Sequence, residues 1–210
     1  MIVTKNHIIP ILLFVFYTVG IIGISIPQFR LQVIGLTPLN LLLTAFLMLW
    51  GMNGLSMKVF YAILFSFLIG YTIEVFGVAS GILFGEYNYG KPLGWKFLDV
   101  PVIIGVNWLI LSFSSLGFIG KFIINPWLKV VFASLLMVAL DILIEPVAIH
   151  LDFWTWAETD VPFQNYLMWF IAALGINSIV CFLVKEIDFK TSAFVFLSQV
   201  YFFTFLNLTI

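Results

Sequence analysis

The 210-residue chain is poor in nearly everything that soluble catalysis and cofactor binding rely on. Only 9% of its residues are charged, against roughly 25% in soluble domains, which points to an integral membrane protein. A net charge of −1 offers no basic surface for nucleic acid. The one cysteine, Cys181, lies in an apolar run, can make no internal disulfide and reads as a small packing residue. The two histidines, His7 and His150, stand at opposite ends of different apolar runs. A histidine-rich metal cluster is therefore not expected, which argues against oxygen-dependent di-iron hydroxylation. The chain has no G-x-G-x-x-G, no P-loop and no Cys-x-x-Cys, so no cofactor is expected.

What is present is apolar length: 63% of the residues are hydrophobic. Runs near the ~20 residues that a bilayer requires occupy 8–26, 37–52, 58–82, 100–119, 128–150, 164–184 and 192–209. They predict an all-α polytopic protein of about seven transmembrane helices forming a single integral membrane domain over 1–210. The first run follows Lys5 and is followed by Pro27-Gln28-Phe29-Arg30 rather than by a small-residue cleavage site, so it is expected to be retained. Lys5, Lys58, Lys121, Lys129, Lys185 and Lys190 collect on one side, with Arg30, Lys91 and Lys96 on the other. The positive-inside rule then predicts a cytoplasmic-membrane protein with its N-terminus inside and its C-terminus outside.

Within this apolar background, Asp141 and Glu145 are out of place. They lie four residues apart on one helix face, in a stretch with no lysine or arginine to pair with them. Ionisable residues inside a span usually mark proton or substrate chemistry. Pro146 follows directly, removes the hydrogen bond to the Ile142 carbonyl and is expected to kink the helix.

A third acid, Glu74, comes sixteen residues after Lys58, as Glu145 comes sixteen after Lys129. Each is expected to lie roughly 24 Å above its lysine, in the outer half of the membrane. The match extends further. An aromatic loop with Tyr87 and Tyr89 follows Glu74, and one with Trp154 and Trp156 follows Glu145. Asp99-Val-Pro101 and Asp160-Val-Pro162 each open a later helix, with Asp as the expected N-cap, and Trp108 and Trp169 stand seven residues past the two prolines. Helices 3–4 and 5–6 are therefore expected to form a parallel internal repeat about an axis along the membrane normal. That arrangement would bring Glu74, Asp141 and Glu145 to one cavity. Asn107, Gln164 and Asn165 would enter it from the outer end, and Tyr87, Tyr89, Trp154 and Trp156 would ring its mouth. Gly77 and Gly81 form a G-x-x-x-G that predicts a close helix contact.

Acids in an apolar cavity suit two uses. One is proton-coupled transport. The other is acid catalysis on a lipid-soluble alkene, in which protonation of a trisubstituted isoprenoid double bond gives a tertiary cation that water can capture. Plain pigment binding is a third reading.

Two blocks carry a resemblance. Gly85-Glu86-Tyr87-Asn88-Tyr89-Gly90 through Asp99-Val-Pro101-Val-Ile-Ile-Gly-Val-Asn107-Trp108 resembles the carotenoid biosynthesis membrane-protein family, which includes bisanhydrobacterioruberin hydratase and acyclic carotenoid 1,2-hydratases. Asp141-Ile-Leu-Ile-Glu145-Pro146 through Trp154-Thr-Trp156 and Val161-Pro162-Phe-Gln164-Asn165-Tyr-Leu-Met-Trp169 is similar to its second block. The resemblance covers about residues 60–185. It implies hydration of an open ψ end group, placing a tertiary hydroxyl on C1. The implied partners are a carotenoid drawn from the lipid phase, water, membrane lipid and other carotenoid-pathway enzymes. A weaker similarity runs to small membrane lycopene cyclases. There a Pro-x-Glu pattern is expected, whereas Ile103 and Gln164 stand at those positions here. The catalytic roles expected for Asp141, Glu145 and Glu74, and the substrate-binding roles for Asn107, Trp108, Gln164, Asn165, Tyr87, Tyr89, Trp154 and Trp156, come from the residues themselves.

Overall fold

A computed structural model describes residues 5–52 and 54–210. The helices are α1 (Lys5–Ser25), α2 (Pro27–Ile34), α3 (Thr37–Gly51), α4 (Met57–Ser80), α5 (Ile103–Ile119), α6 (Pro126–His150), α7 (Phe163–Leu183) and α8 (Phe189–Thr209). Five of them, α1, α4, α6, α7 and α8, are long and apolar enough to cross a membrane. A sixth span results if α2 and α3, bent by 59° at their junction, count as one; α5 is a shorter apolar helix. This is the all-α architecture of a multi-pass membrane protein.

Local chemistry explains several helix starts. Ser56 caps α4 by accepting from the Val59 amide at 3.3 Å, and Asp188 caps α8 by accepting from the Thr191 amide at 2.7 Å. Asn125 caps α6 through the Trp127 and Leu128 amides, with Pro126 at the first turn where its missing N–H costs nothing. Residues 27–36 lie between the first two apolar runs of the sequence; the structure places α2 there. Pro27 is in its first turn, after an extended Ile26, so the proline that ends α1 also starts the next helix.

Helix α5 is the centre. It packs against α3, α4, α6, α7 and α8, and Trp108, Ile110, Leu111 and Phe113 are fully buried along it. A helix apolar all round belongs in such a position. A polar clasp ties it to two neighbours. The Ser112 hydroxyl donates to Asn177 Oδ1 at 2.6 Å, and Asn177 Nδ2 donates to Ser134 Oγ at 3.0 Å. Interhelical bonds of this kind hold helices whose surroundings offer no hydrophobic contrast.

The two long loops meet at one end of the bundle. Strands β1 (Tyr87–Tyr89), β2 (Lys96–Phe97), β3 (Val100–Pro101) and β4 (Trp154–Trp156) form two small antiparallel sheets. β1 pairs with β4 in the register Tyr87 to Trp156, Asn88 to Thr155 and Tyr89 to Trp154. β2 and β3 form a hairpin whose two turn residues, Leu98 and Asp99, have φ of 49° and 63°, as the twist of a two-residue hairpin requires.

That hairpin corrects one expectation. Asp99 is a turn residue and not the N-cap of α5, which is Val102. On α7 the N-cap is Pro162, not Asp160. The G-x-x-x-G is also not a helix contact. Gly81 ends α4 at φ 64°, and Gly77 admits the Phe84 ring, which a Cβ there would meet at 2.4 Å. Pro146 lies inside an unbroken α6. Nearby, Asn207 Nδ2 donates to the Leu143 carbonyl at 2.7 Å.

Candidate active site

Helical periodicity carries the three acids inward. On α4 the buried positions are Val59, Ala62, Ser66, Gly70, Glu74 and Gly77, a stripe at three- and four-residue steps. On α6 the stripe runs through Ser134, Met137, Asp141, Glu145 and Ala148. Glu74, Asp141 and Glu145 are 3%, 1% and 3% exposed.

Each carboxyl has its own set of donors. Glu74 Oε2 accepts from the Tyr87 hydroxyl at 2.5 Å and the Tyr89 hydroxyl at 2.8 Å, and its Oε1 from Trp108 Nε1 at 3.1 Å. Glu145 Oε2 accepts from Trp154 Nε1 at 2.9 Å and Trp156 Nε1 at 3.0 Å. Asn165 Nδ2 bridges the pair on α6, donating to Asp141 Oδ2 at 3.1 Å and Glu145 Oε1 at 3.3 Å. Glu74 and Glu145 thus hold three donors each, and Asp141 one.

The β1–β4 pairing delivers four of these donors. Side chains alternate across a strand, so Tyr87 and Tyr89 turn inward while Asn88 is exposed. Their partners in register, Trp156 and Trp154, sit beside them with ring centroids at 5.0 and 6.0 Å. Burial, reinforced by the adjacent Glu74 carboxyl, pushes both phenols well above the usual tyrosine value. They therefore remain donors across the physiological range. Lys96 Nζ donates to the Tyr89 carbonyl and ties the hairpin to this strand. On the other wall, Trp108 stacks on Trp169 with centroids 4.2 Å apart. Gly70 makes room for the indole, since a Cβ there would lie 2.4 Å from Trp108 Cγ.

The carboxyls close on a cavity of about 20 Å³ lined by Glu74, Tyr87, Tyr89, Ile104, Asn107, Asp141, Glu145, Trp154, Trp156, Asn165 and Trp169. That is room for roughly one water molecule. The lining contains no lysine, arginine or histidine. Trp108 stands directly behind it through its bond to Glu74. Gln164 does not reach the cavity: its Nε2 donates to the carbonyls of Ile82 and Leu83, tying α7 to the loop after α4. One helical step separates it from Asn165, and only Asn165 faces inward. Sequence reasoning did not place Ile104 or Trp169 at the site. The position of Trp169 seven residues past Pro162 was the available signal for it.

Three comparisons bear on identity. The family model described as "Carotenoid biosynthesis protein" matches residues 35–210. A bisanhydrobacterioruberin hydratase of Haloarcula japonica is 28% identical over 113 residues, covering 50% of this chain and 39% of that protein. The chain thus spans well under half the length of this curated relative. No solved structure matches. With the family model covering most of its length, the chain belongs to the carotenoid biosynthesis protein family.

Proposed function

We propose that this protein is a cofactor-independent carotenoid hydratase that adds water across the terminal C1–C2 double bond of a ψ end group. The observation that carries the reading is the convergence of Glu74, Asp141 and Glu145 on one water-sized, aromatic-walled cavity. Family membership and the similarity to a hydratase support it.

Donors stabilise a carboxylate, so the unequal donor sets assign the roles. Asp141, with one donor, carries the proton; Glu145, with three, is the carboxylate. Asp141 gives its proton to C2, the π electrons form the new C–H bond, and a tertiary cation is left at C1. The faces of Trp154, Trp156 and Trp169 lower the energy of that cation. Water held by Glu145 adds its oxygen to C1 and loses a proton to the Glu145 carboxylate. Transfer of that proton back to Asp141 resets the site, so the net change is one water added. Glu74, fixed by Tyr87, Tyr89 and Trp108, completes the polar wall and keeps the proton network in place.

In the membrane, seven spans with the N-terminus cytoplasmic and the C-terminus outside put the site near the outer face. The matching of Tyr87–Trp156, Tyr89–Trp154 and Trp108–Trp169 supports a parallel repeat of α4–α5 and α6–α7. The test is expression in a host that makes lycopene or γ-carotene, with pigments weighed by mass spectrometry. A product heavier by one water supports hydration. A ring-closed product of unchanged mass identifies a cyclase instead, and unaltered pigment across several ψ-end substrates sinks both.

A further inference from the structure

A second cavity, about 330 Å³ and almost wholly apolar, lies between α1, the α2–α3 bend, α5, α6 and α8. Ile104, Asn107 and Trp154 line both this cavity and the acid pocket, so the two spaces adjoin across those three side chains. The cavity is also lined by Phe16, Val19, Leu36 and Leu39, all of them exposed. On a chain that crosses a membrane, these face lipid. The space therefore runs from the lipid-facing surface to the side chains that wall the acid pocket.

Of the polar side chains in its wall, which include Thr37, Asn40 and Asn107, one stands out. Gln199 on α8 is 2% exposed, and its Nε2 has no hydrogen-bond partner among the described residues. A buried amide N–H without an acceptor is costly, and one in the wall of a cavity is a donor available to what the cavity holds.

We propose that this cavity seats the chain of an isoprenoid substrate admitted sideways from the bilayer, with Asn107 at the passage to the acids and Gln199 as the specificity-determining residue that donates to an oxygen substituent on that chain. The proposal rests on the hydratase reading for what happens at the acids, and it adds that the preferred substrate already bears oxygen. The cavity is too small for a whole carotenoid, so the far part of the polyene stays among the lipid tails beyond Leu36 and Leu39.

Binding tests this without turnover, so its failure is distinguishable from failure of the hydratase reading. The full chain in lipid nanodiscs is titrated with lycopene and with an acyclic carotenoid whose hydroxyl lies within the end segment that the cavity can hold, following quenching of tryptophan fluorescence. Leu43→Trp, which fills the cavity, is expected to weaken both ligands at least about tenfold. Gln199→Leu is expected to weaken the hydroxylated ligand about tenfold and leave lycopene unchanged. As a milder probe, Leu43→Cys in a Cys181→Ser background is labelled with an apolar maleimide, and bound carotenoid should block the labelling. Unprotected Leu43→Cys in the presence of saturating carotenoid would overturn the seat. Equal affinity changes for the two ligands in Gln199→Leu, or none, would overturn the specificity role and leave Gln199 a structural residue.

Discussion

Trp108 and Trp169, sixty-one positions apart in the chain, stack with their ring planes 20° from parallel. The first donates its indole N–H to Glu74, so the stack fixes the direction of a bond to an acid. Trp108→Phe keeps a ring on Trp169 but removes the donor. It should cost about 1–3 kcal/mol, the penalty of a buried acceptor left short of a partner. Trp169→Phe keeps every hydrogen bond and should cost less, about 0.5–1.5 kcal/mol of ring contact. Thermal unfolding in detergent checks the order of the two.

Gly90 follows β1 directly, and its amide donates to the Phe153 carbonyl at 2.8 Å. A Cβ there would lie 1.8 Å from the Asp152 carbonyl oxygen, a backbone atom with no freedom to retreat. Gly90→Ala should therefore push the two aromatic loops apart and withdraw donors from both glutamates. Product formation should fall at least about tenfold while the protein still inserts in the membrane, because the change lies outside the spanning helices. Pigment analysis beside a membrane-fraction immunoblot measures both.

Asp141→Asn and Glu145→Gln keep the size of the side chains and remove, respectively, the proposed proton donor and the proposed proton acceptor. Each should lower turnover by about 10²–10⁴-fold, the usual range for general acid–base groups. Bound carotenoid should be retained in both, as read from the polyene absorbance of the purified protein. Product formation in the host cell that is unaffected by both changes would assign the protein to pigment binding, with the product made by another enzyme.

Much of the candidate site's geometry was legible in the sequence. Helical periodicity and the absence of nearby cations singled out Asp141 and Glu145, and depth counted from the lysines brought in Glu74. The two aromatic loops were expected beside the acids, and β1–β4 pairs them there. What could not be read depends on contacts between distant segments. The β1–β4 register sets which tryptophan meets which tyrosine, and no local propensity encodes it. Gln164 and Asn165 were indistinguishable by residue type; only the rotation of α7 decides that Asn165 bridges the acids. Asp99 looked like an N-cap because caps and hairpin turns favour the same residues. Helix α2 was hidden because a proline that stops one helix equally well begins another.

The phenols of Tyr87 and Tyr89, pushed up by burial and by Glu74, bear on alkaline stability. A folded-state value above that of the unfolded chain means that the stabilisation is complete below about pH 10 and is lost as pH rises further, when the unfolded tyrosines ionise first. The melting temperature should fall from about pH 10 upward. Tyr87→Phe should flatten that fall while lowering stability at neutral pH, since Glu74 loses a donor. Melting curves of the two proteins between about pH 8 and 11 give the comparison.

In the proposed hydration, water held in the cavity of Glu74, Asp141 and Glu145 captures a cation formed by protonation at its wall. Purified protein in nanodiscs, given a carotenoid with an open ψ end in heavy-oxygen water, tests it directly by mass spectrometry. The account predicts a tertiary alcohol carrying one heavy oxygen, formed without added cofactor and lost in Asp141→Asn. An unlabelled alcohol, a cyclised hydrocarbon or unchanged substrate would contradict it.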